Sequence, residues 1–386
     1  MDFNELIDRR NTASYKWDVG EGELPMWVAD MDFRVAQCIF LALLKRTIHS
    51  VFGYNTVPDE WYDAYIRFWK KRHRFEMKRE WLFFSTGVVP TISSAVRSLT
   101  GEGEGVIILT PVYNIFFNSI VNNHRTVVEC PLLYSEGEFS IDWKALKEKM
   151  RDKNNTLMIF CNPHNPCGNI WSRRELKRLG HMAAEYGVTV ISDEIHCDIT
   201  EPGHSYIPFA SVSEECAAVS VTCIAPTKCF NIAGMQTSAV CICDEALKKK
   251  VERGLNTDEC AEPNSFAVPV TVAAFNEGVD WLNAMNKYVA ENKELVRGFF
   301  EKYLPDVIIS RGYATYLLWM DFSKLSDDTT LLCDDIRKKT GLILSPGAIF
   351  GADGKHFIRM NVAAPRSVVL DGLDRIARYF GINTQK

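Results

Sequence analysis

The chain has no excess of basic residues. Its 44 lysines and arginines are outnumbered by 49 aspartates and glutamates, for a formal net charge of −5. A surface that neutralises a run of phosphates needs the opposite bias, so nucleic acid is not an expected partner. No stretch approaches the roughly 20 apolar residues that span a bilayer, so no membrane span is expected. Residues 1–18 mix acidic and basic side chains around no apolar core, which does not make a signal peptide. Internal repeats and low-complexity tracts are missing. Twelve cysteines are present, but none shows the C-x-x-C spacing of a zinc site, and no metal is expected. Several, such as Cys161, Cys223 and Cys241, fall in apolar runs, where a thiol acts as a small hydrophobe. That usage points to a reducing cytoplasm.

What is present is an ordinary globular composition, 47% hydrophobic and 24% charged over 386 residues. The length suggests two or three domains. Short apolar runs at 106–109, 126–130, 157–161, 188–192, 219–223 and 238–243 read as strands buried on both faces. Helical patterns lie between them, as at 141–150 and 172–186, the second opened by the capping-box pair Ser172 and Glu175. The expected fold is α/β, a mostly parallel sheet covered by helices. After about residue 285 the pattern changes to a long helix (281–303), a strand (316–322), a helix (331–340), a strand (357–362) and a last helix (366–379). This is a smaller α+β unit. The first ~30 residues and the helical stretch 35–49 lack a sheet of their own nearby and are expected to pack with it. The expected division is 1–50 as N-terminal arm and part of the small domain, 51–284 as large domain, and 285–386 as the C-terminal part of the small domain.

In open α/β sheets, ligands bind beyond the carboxyl ends of the strands. Several polar residues follow strand-like runs here. Lys228, in Ala-Pro-Thr-Lys-Cys-Phe-Asn, stands near an apolar strand end, where burial lowers an amine's pKa and suits it to form a Schiff base. Asp193, in Ser-Asp-Glu-Ile-His, has the charge needed to keep a pyridine ring protonated; Glu194 beside it reads as structural. Asn165, held between prolines in Asn162-Pro-His-Asn-Pro-Cys-Gly168, presents a fixed amide. Backbone N–H groups of Val88 and Val89, after Ser-Thr-Gly at a strand-to-helix turn, suit a phosphate. Tyr113 offers an aromatic face for stacking. Arg359, inside an apolar strand, needs a planar anion such as a substrate carboxylate, with Arg366 a second candidate. Each has a plainer reading: a snorkelling lysine, an N-cap aspartate, a core tyrosine, an internal salt bridge.

Together and in this order, these motifs resemble fold-type I enzymes that use pyridoxal 5′-phosphate (PLP), in the class I/II aminotransferase superfamily. The resemblance runs from about residue 17 to 380. It is closer to the cystathionine β-lyase (C–S lyase) branch, on Met26-Trp-Val-Ala-Asp-Met-Asp-Phe33, Phe52-Gly-Tyr54, Asp193-Glu-Ile-His196 and Ala225-Pro-Thr-Lys-Cys-Phe-Asn-Ile-Ala-Gly234. It implies that Lys228 holds PLP as a Schiff base and is the catalytic base, that Asp193 pairs the ring nitrogen, and that Asn165 contacts the ring hydroxyl. It further implies that Tyr113 stacks on the ring and belongs to the catalytic set, and that Arg359 grips the carboxylate of an amino-acid substrate. Tyr54 would reach the phosphate and substrate of a neighbouring subunit, giving a homodimer with sites at the interface. His196 stands where the aspartate aminotransferases carry a tyrosine, and Gln236 where they carry a phosphate-binding arginine. Phosphate binding then leans on backbone N–H groups, Tyr54 and the hydroxyls of Thr227 or Thr222. The implied reaction is α,β-elimination from cystathionine or a related cysteine S-conjugate to a thiol, pyruvate and ammonia. An aminotransferase on the same scaffold is the alternative, and a non-catalytic regulator a third.

Overall fold

The computed structural model describes residues 1–384. Its centre is a seven-stranded sheet in the order Leu82–Ser85, Ser238–Cys241, Ser220–Ile224, Thr189–Asp193, Asn155–Cys161, Gly105–Thr110 and Thr126–Pro131. The last five run parallel, while Ser238–Cys241 is antiparallel to both its neighbours. The inner strand runs read from the sequence form this sheet because they are apolar on both faces: Val106, Ile107, Ile108 and Leu109 are all buried, as are Leu157, Met158, Ile159 and Phe160, whereas Thr126–Pro131, also expected to be buried, is the edge strand and buries only Cys130. Helices cover both sides. Arg173–Tyr186 opens with the expected capping box, in which the Ser172 N–H donates to the Glu175 carboxylate at 2.8 Å and the Glu175 N–H donates to Ser172 Oγ at 3.3 Å.

A second, antiparallel sheet has the order Ile308–Ile309, Leu317–Asp321, Phe357–Asn361 and Ser345–Pro346. Its outer strands are two residues long, too short for a periodic signal, and the sequence reading had only its two central strands. The N-terminal arm divides. Leu24–Pro25 pairs in parallel with Leu342–Ile343, beside this later sheet. Helix Gln37–His49, expected to follow it, instead lies along Ala267–Glu277, a helix earlier than residue 285.

Between the two sheets runs the extended segment 26–33, and its backbone groups are accounted for from both sides. Met26 N–H donates to Ile343 O (2.9 Å), and Met26 O accepts from Asn361 N–H (2.9 Å). Asn361 Nδ2 donates to the carbonyls of Val28 and Asp30, both at 2.6 Å. From the large-sheet side, Asn231, in the connection between strands Ser220–Ile224 and Ser238–Cys241, accepts from Met31 N–H (3.1 Å) and donates to the carbonyls of Met31 (3.0 Å) and Phe33 (2.8 Å). Ionic contacts lock the segment further: Asp32 accepts from Arg9 (2.6 Å), the buried Lys16 (2.7 Å) and the Trp17 indole (2.8 Å).

A second junction joins the loop 162–168 to the small sheet. Ala314 N–H donates to Gly168 O (3.0 Å) and Ser310 Oγ to Cys167 O (2.8 Å). The backbones approach so closely that a Cβ on Gly312 would lie 2.1 Å from Cys167 O. Gly312→Ala is therefore expected to destabilise the protein by about 1–3 kcal/mol. Gly298→Ala, on the open face of helix Val279–Tyr303 with nothing near its Cβ, is expected to stabilise it by about 0.5–1 kcal/mol. Thermal unfolding of the two variants checks this, with midpoints moving in opposite directions.

Candidate active site

The carboxyl ends of the parallel strands converge on one cavity of about 360 Å³. Register explains which side chains meet there. Cys161, Asp193 and Cys223 stand side by side across three adjacent strands, so the residues that follow each strand emerge together. The lining includes Val88, Val89, Tyr113, Asn165, Asp193, His196, Thr227 and Lys228, eight of the residues singled out from the sequence, though they are spread over much of the chain. Ala29, Thr86, Gly87, Cys161, Ile195 and Gln236 complete much of the wall.

Lys228 follows strand Ser220–Ile224, and its Nζ donates to the carbonyl of Ala29 at 2.6 Å. Burial lowers the amine's pKa from 10.5 to about 8; nearby Asp30 and Asp193 oppose that shift and Arg359 adds to it. Asp193 shifts the other way. Burial raises its pKa to about 6, against a backbone N–H from Ile195 and the positive charge of Lys228. At neutral pH the carboxylate form therefore still predominates. His196 is held neutral, its pKa lowered to about 3 by burial and by the charges of Lys228 and Arg359. Its Nδ1 is buried without a partner. The Tyr113 phenol is pushed upward by burial and by Asp193 and stays protonated.

Arg359 lies beside this cavity, in the central part of the small sheet, and is buried. Its Nη1 donates to Asn165 Oδ1 (3.3 Å) and its Nη2 to Trp27 O (3.0 Å), while the Phe350 ring lies 4.6 Å below the guanidinium. Nε is buried with no partner. Among the described residues no carboxylate pairs with this cation, so the guanidinium is not spent on an internal salt bridge with any of them. Asn165 is itself held through its N–H on the Cys161 sulfur at 3.4 Å.

At the opposite wall, helix Val88–Leu99 begins at Gly87 without a side-chain cap. The first N–H groups of a helix have no intrahelical acceptor, and here they border the cavity. Thr86, Thr227 and Gln236 stand in the same lining. The cavity thus combines a half-buried amine of lowered pKa, a buried carboxylate, an aromatic ring and uncapped helix N–H groups. This set fits PLP, which carries an aldehyde, a basic ring nitrogen and a phosphate.

Four other residues lie elsewhere. Tyr54 is fully exposed and takes no part in the cavity of this single chain. Arg366, the second carboxylate candidate, pairs with Glu291 on the surface at 2.7 Å. Thr222 is buried within its strand, its hydroxyl unpartnered, and is not among the residues that line the cavity. Glu194 points away from the cavity, into the core. There it accepts from Ser192 Oγ (2.9 Å), Asn162 Nδ2 (3.3 Å), Phe209 N–H (2.9 Å) and the Tyr206 hydroxyl, as suits a structural role. The cluster His73, Cys197 and Asp198 has ligand-like spacing, but Arg72 already pairs with Asp198 at 2.6 Å.

The sequence reading missed Tyr316. It is buried, and its hydroxyl donates to Ala29 O at 2.9 Å, the same carbonyl that receives Lys228. It also passed over the Ala29 carbonyl itself, a backbone group with no side-chain signature.

Comparison with known proteins places this geometry. The chain is 40% identical to cystathionine beta-lyase PatB of Bacillus subtilis over 382 residues, covering 97% of this chain and 99% of that protein. Among solved structures it resembles cystalysin from Treponema denticola, which contains a pyridoxal 5′-phosphate cofactor. The TM-score is 0.95 at 33% identity, over 98% of each chain. It also resembles the PLP-bound C–S lyase of Staphylococcus hominis with L-cycloserine, with a TM-score of 0.92 at 34% identity over 99% of each chain. Residues 26–376 match the family described as aminotransferase class I and II, and the chain belongs to that family.

Proposed function

We propose that this chain is a PLP-dependent C–S β-lyase, which cleaves cystathionine or a related cysteine S-conjugate to a thiol, pyruvate and ammonia. The observation that carries the reading is the pairing in one cavity of Lys228, with its pKa near 8, and the buried Asp193. It agrees with the activity named for PatB and for the Staphylococcus protein. When bound, PLP supplies an aldehyde for the lysine and a ring that withdraws electrons from the substrate's Cα.

The chain's own residues do the rest. Lys228 anchors the cofactor, and its freed amine, largely neutral at slightly alkaline pH, takes the proton from Cα. Asp193 keeps a negative charge at the ring nitrogen. Asn165 donates to the ring's hydroxyl side, and Tyr113 covers the ring face. His196 adds a neutral polar group. Val88, Val89 and Thr227 hold the phosphate. Arg359 receives the substrate carboxylate, for which its unpartnered Nε leaves a donor free.

The active unit is a homodimer in which Tyr54 enters the site of the partner. Support comes from the exposed apolar face around it: Phe40, Leu41, Leu44 and Ile48 on helix Gln37–His49, continued by Val51 and Phe52. A contiguous patch of this kind marks a docking surface. The division into domains at about residues 50 and 285 belongs to the same reading, as does a cytoplasmic site of action. No described helix is long and apolar enough to cross a membrane.

A substrate panel tests the activity. Cystathionine is expected to give stoichiometric thiol and pyruvate; steady amino transfer to a keto acid with negligible pyruvate would favour the aminotransferase instead. Lys228→Ala should lower kcat by at least about 10²–10⁴-fold, read as pyruvate release at saturating substrate. In cofactor-free protein, the rate at which added PLP produces visible absorbance should rise with pH and level off above about 8, because only the neutral amine reacts. A midpoint near 10.5 would contradict the burial argument. For the shared site, mixing Lys228→Ala with Tyr54→Ala chains should restore activity above that of either alone, since a mixed dimer holds one intact site; no recovery would count against the interface.

A further inference from the structure

The carbonyl of Ala29 has two donors, Lys228 Nζ at 2.6 Å and the Tyr316 hydroxyl at 2.9 Å. Its direction is fixed, because Asn361 Nδ2 grips the carbonyls on either side of it. Tyr316 is fixed as well. It is fully buried, its own carbonyl accepts from Val362 N–H at 3.0 Å, and its ring stands edge-on to His196, 6.2 Å away. The amine and the phenol therefore share one acceptor, held in place from both sides, in the wall of the cavity.

That sharing matters once the amine moves. If Lys228 carries PLP, as proposed above, its Nζ adds to the aldehyde carbon, a C=N bond forms, and the aldehyde oxygen leaves as water with the two amine protons. Nζ can then no longer serve Ala29 as it did. Ala29 is half-buried in the cavity wall, and a carbonyl there that loses its last protein donor, with the cofactor filling the space in front of it, bears part of its desolvation cost. With Tyr316 present, Ala29 passes from two donors to one. Without the phenol it would pass from one to none.

We propose that Tyr316 is a positioning residue for the Lys228 amine: its phenol keeps the Ala29 carbonyl hydrogen-bonded whether or not the amine is docked there, and so removes a penalty on moving Nζ to the cofactor. The role acts through Lys228 alone. It involves no contact between Tyr316 and the cofactor, and it holds for any reaction of this site that begins from the same linkage.

The test is a double-mutant cycle on PLP binding, with affinity measured by equilibrium dialysis and the linkage by visible absorbance. Tyr316→Phe, which keeps the ring, should weaken PLP binding roughly tenfold in the presence of Lys228. In the Lys228→Ala background the same change should leave affinity unaltered, because there Ala29 has the same donors with and without cofactor. An equal loss in both backgrounds would make Tyr316 merely structural and overturn the proposal, as would no loss in either. Unaltered protein that binds PLP without the visible band would instead refute Lys228 as the anchor. Thermal unfolding of cofactor-free Tyr316→Phe is expected to stay close to that of the unaltered chain, since Lys228 still serves Ala29.

Discussion

A partly desolvated amine in the wall of a cavity is the constraint around which the site is arranged. Lys228 would ordinarily be a surface cation; here burial draws its pKa down to about 8, so that a lone pair is present near neutral pH. Such an amine needs a partner that does not hold it permanently charged. A neutral backbone carbonyl, that of Ala29, meets this need better than a directly bonded carboxylate would. The nearest acids, Asp30 and Asp193, act on Lys228 only through space. Asp193 is in turn left to face the cavity.

The segment carrying this carbonyl is hydrogen-bonded from both sides. Residues 26–33 are bonded by Asn361 from the small sheet and by Asn231 from a connection between two strands of the large one, and their carboxylates are tied down by Arg9, Lys16 and Trp17. Two sheets that share few direct strand contacts are thus joined by a strap that also forms a wall of the cavity. The same economy appears at Arg359, whose guanidinium spans Asn165 on one side and Trp27 O on the other. The groups suited to cofactor and to substrate carboxylate therefore belong to one hydrogen-bonded framework.

Much of this was legible beforehand. The central strands follow from runs apolar on both faces, and helix Arg173–Tyr186 from its capping box. The cavity residues Lys228, Asp193, Asn165 and Tyr113 follow from their places just after strand ends. The edges of the small sheet were not legible, since a two-residue strand has no period to detect. Nor was the packing of helix Gln37–His49, most of whose large apolar side chains face solvent and give no sign of which neighbour the buried Ile39 will meet. Arg359 and Arg366 are alike in type; the fold buries the first within strand Phe357–Asn361 and leaves the second at the start of helix Arg366–Tyr379, on the surface with Glu291.

Hydrophobic period, caps and side-chain chemistry are local properties, and so the elements and the inventory of reactive groups were legible in the chain alone. Which groups face one another came from the fold. Asp193 and Glu194 are adjacent carboxylates, and one opens on the cavity while the other is consumed by four donors in the core. The acceptor for Lys228 is a backbone oxygen, which every residue possesses, and the phenol that shares it arrives from the residue before strand Leu317–Asp321, far along the chain. Such roles depend on distance and direction in space, and those are properties of the folded chain.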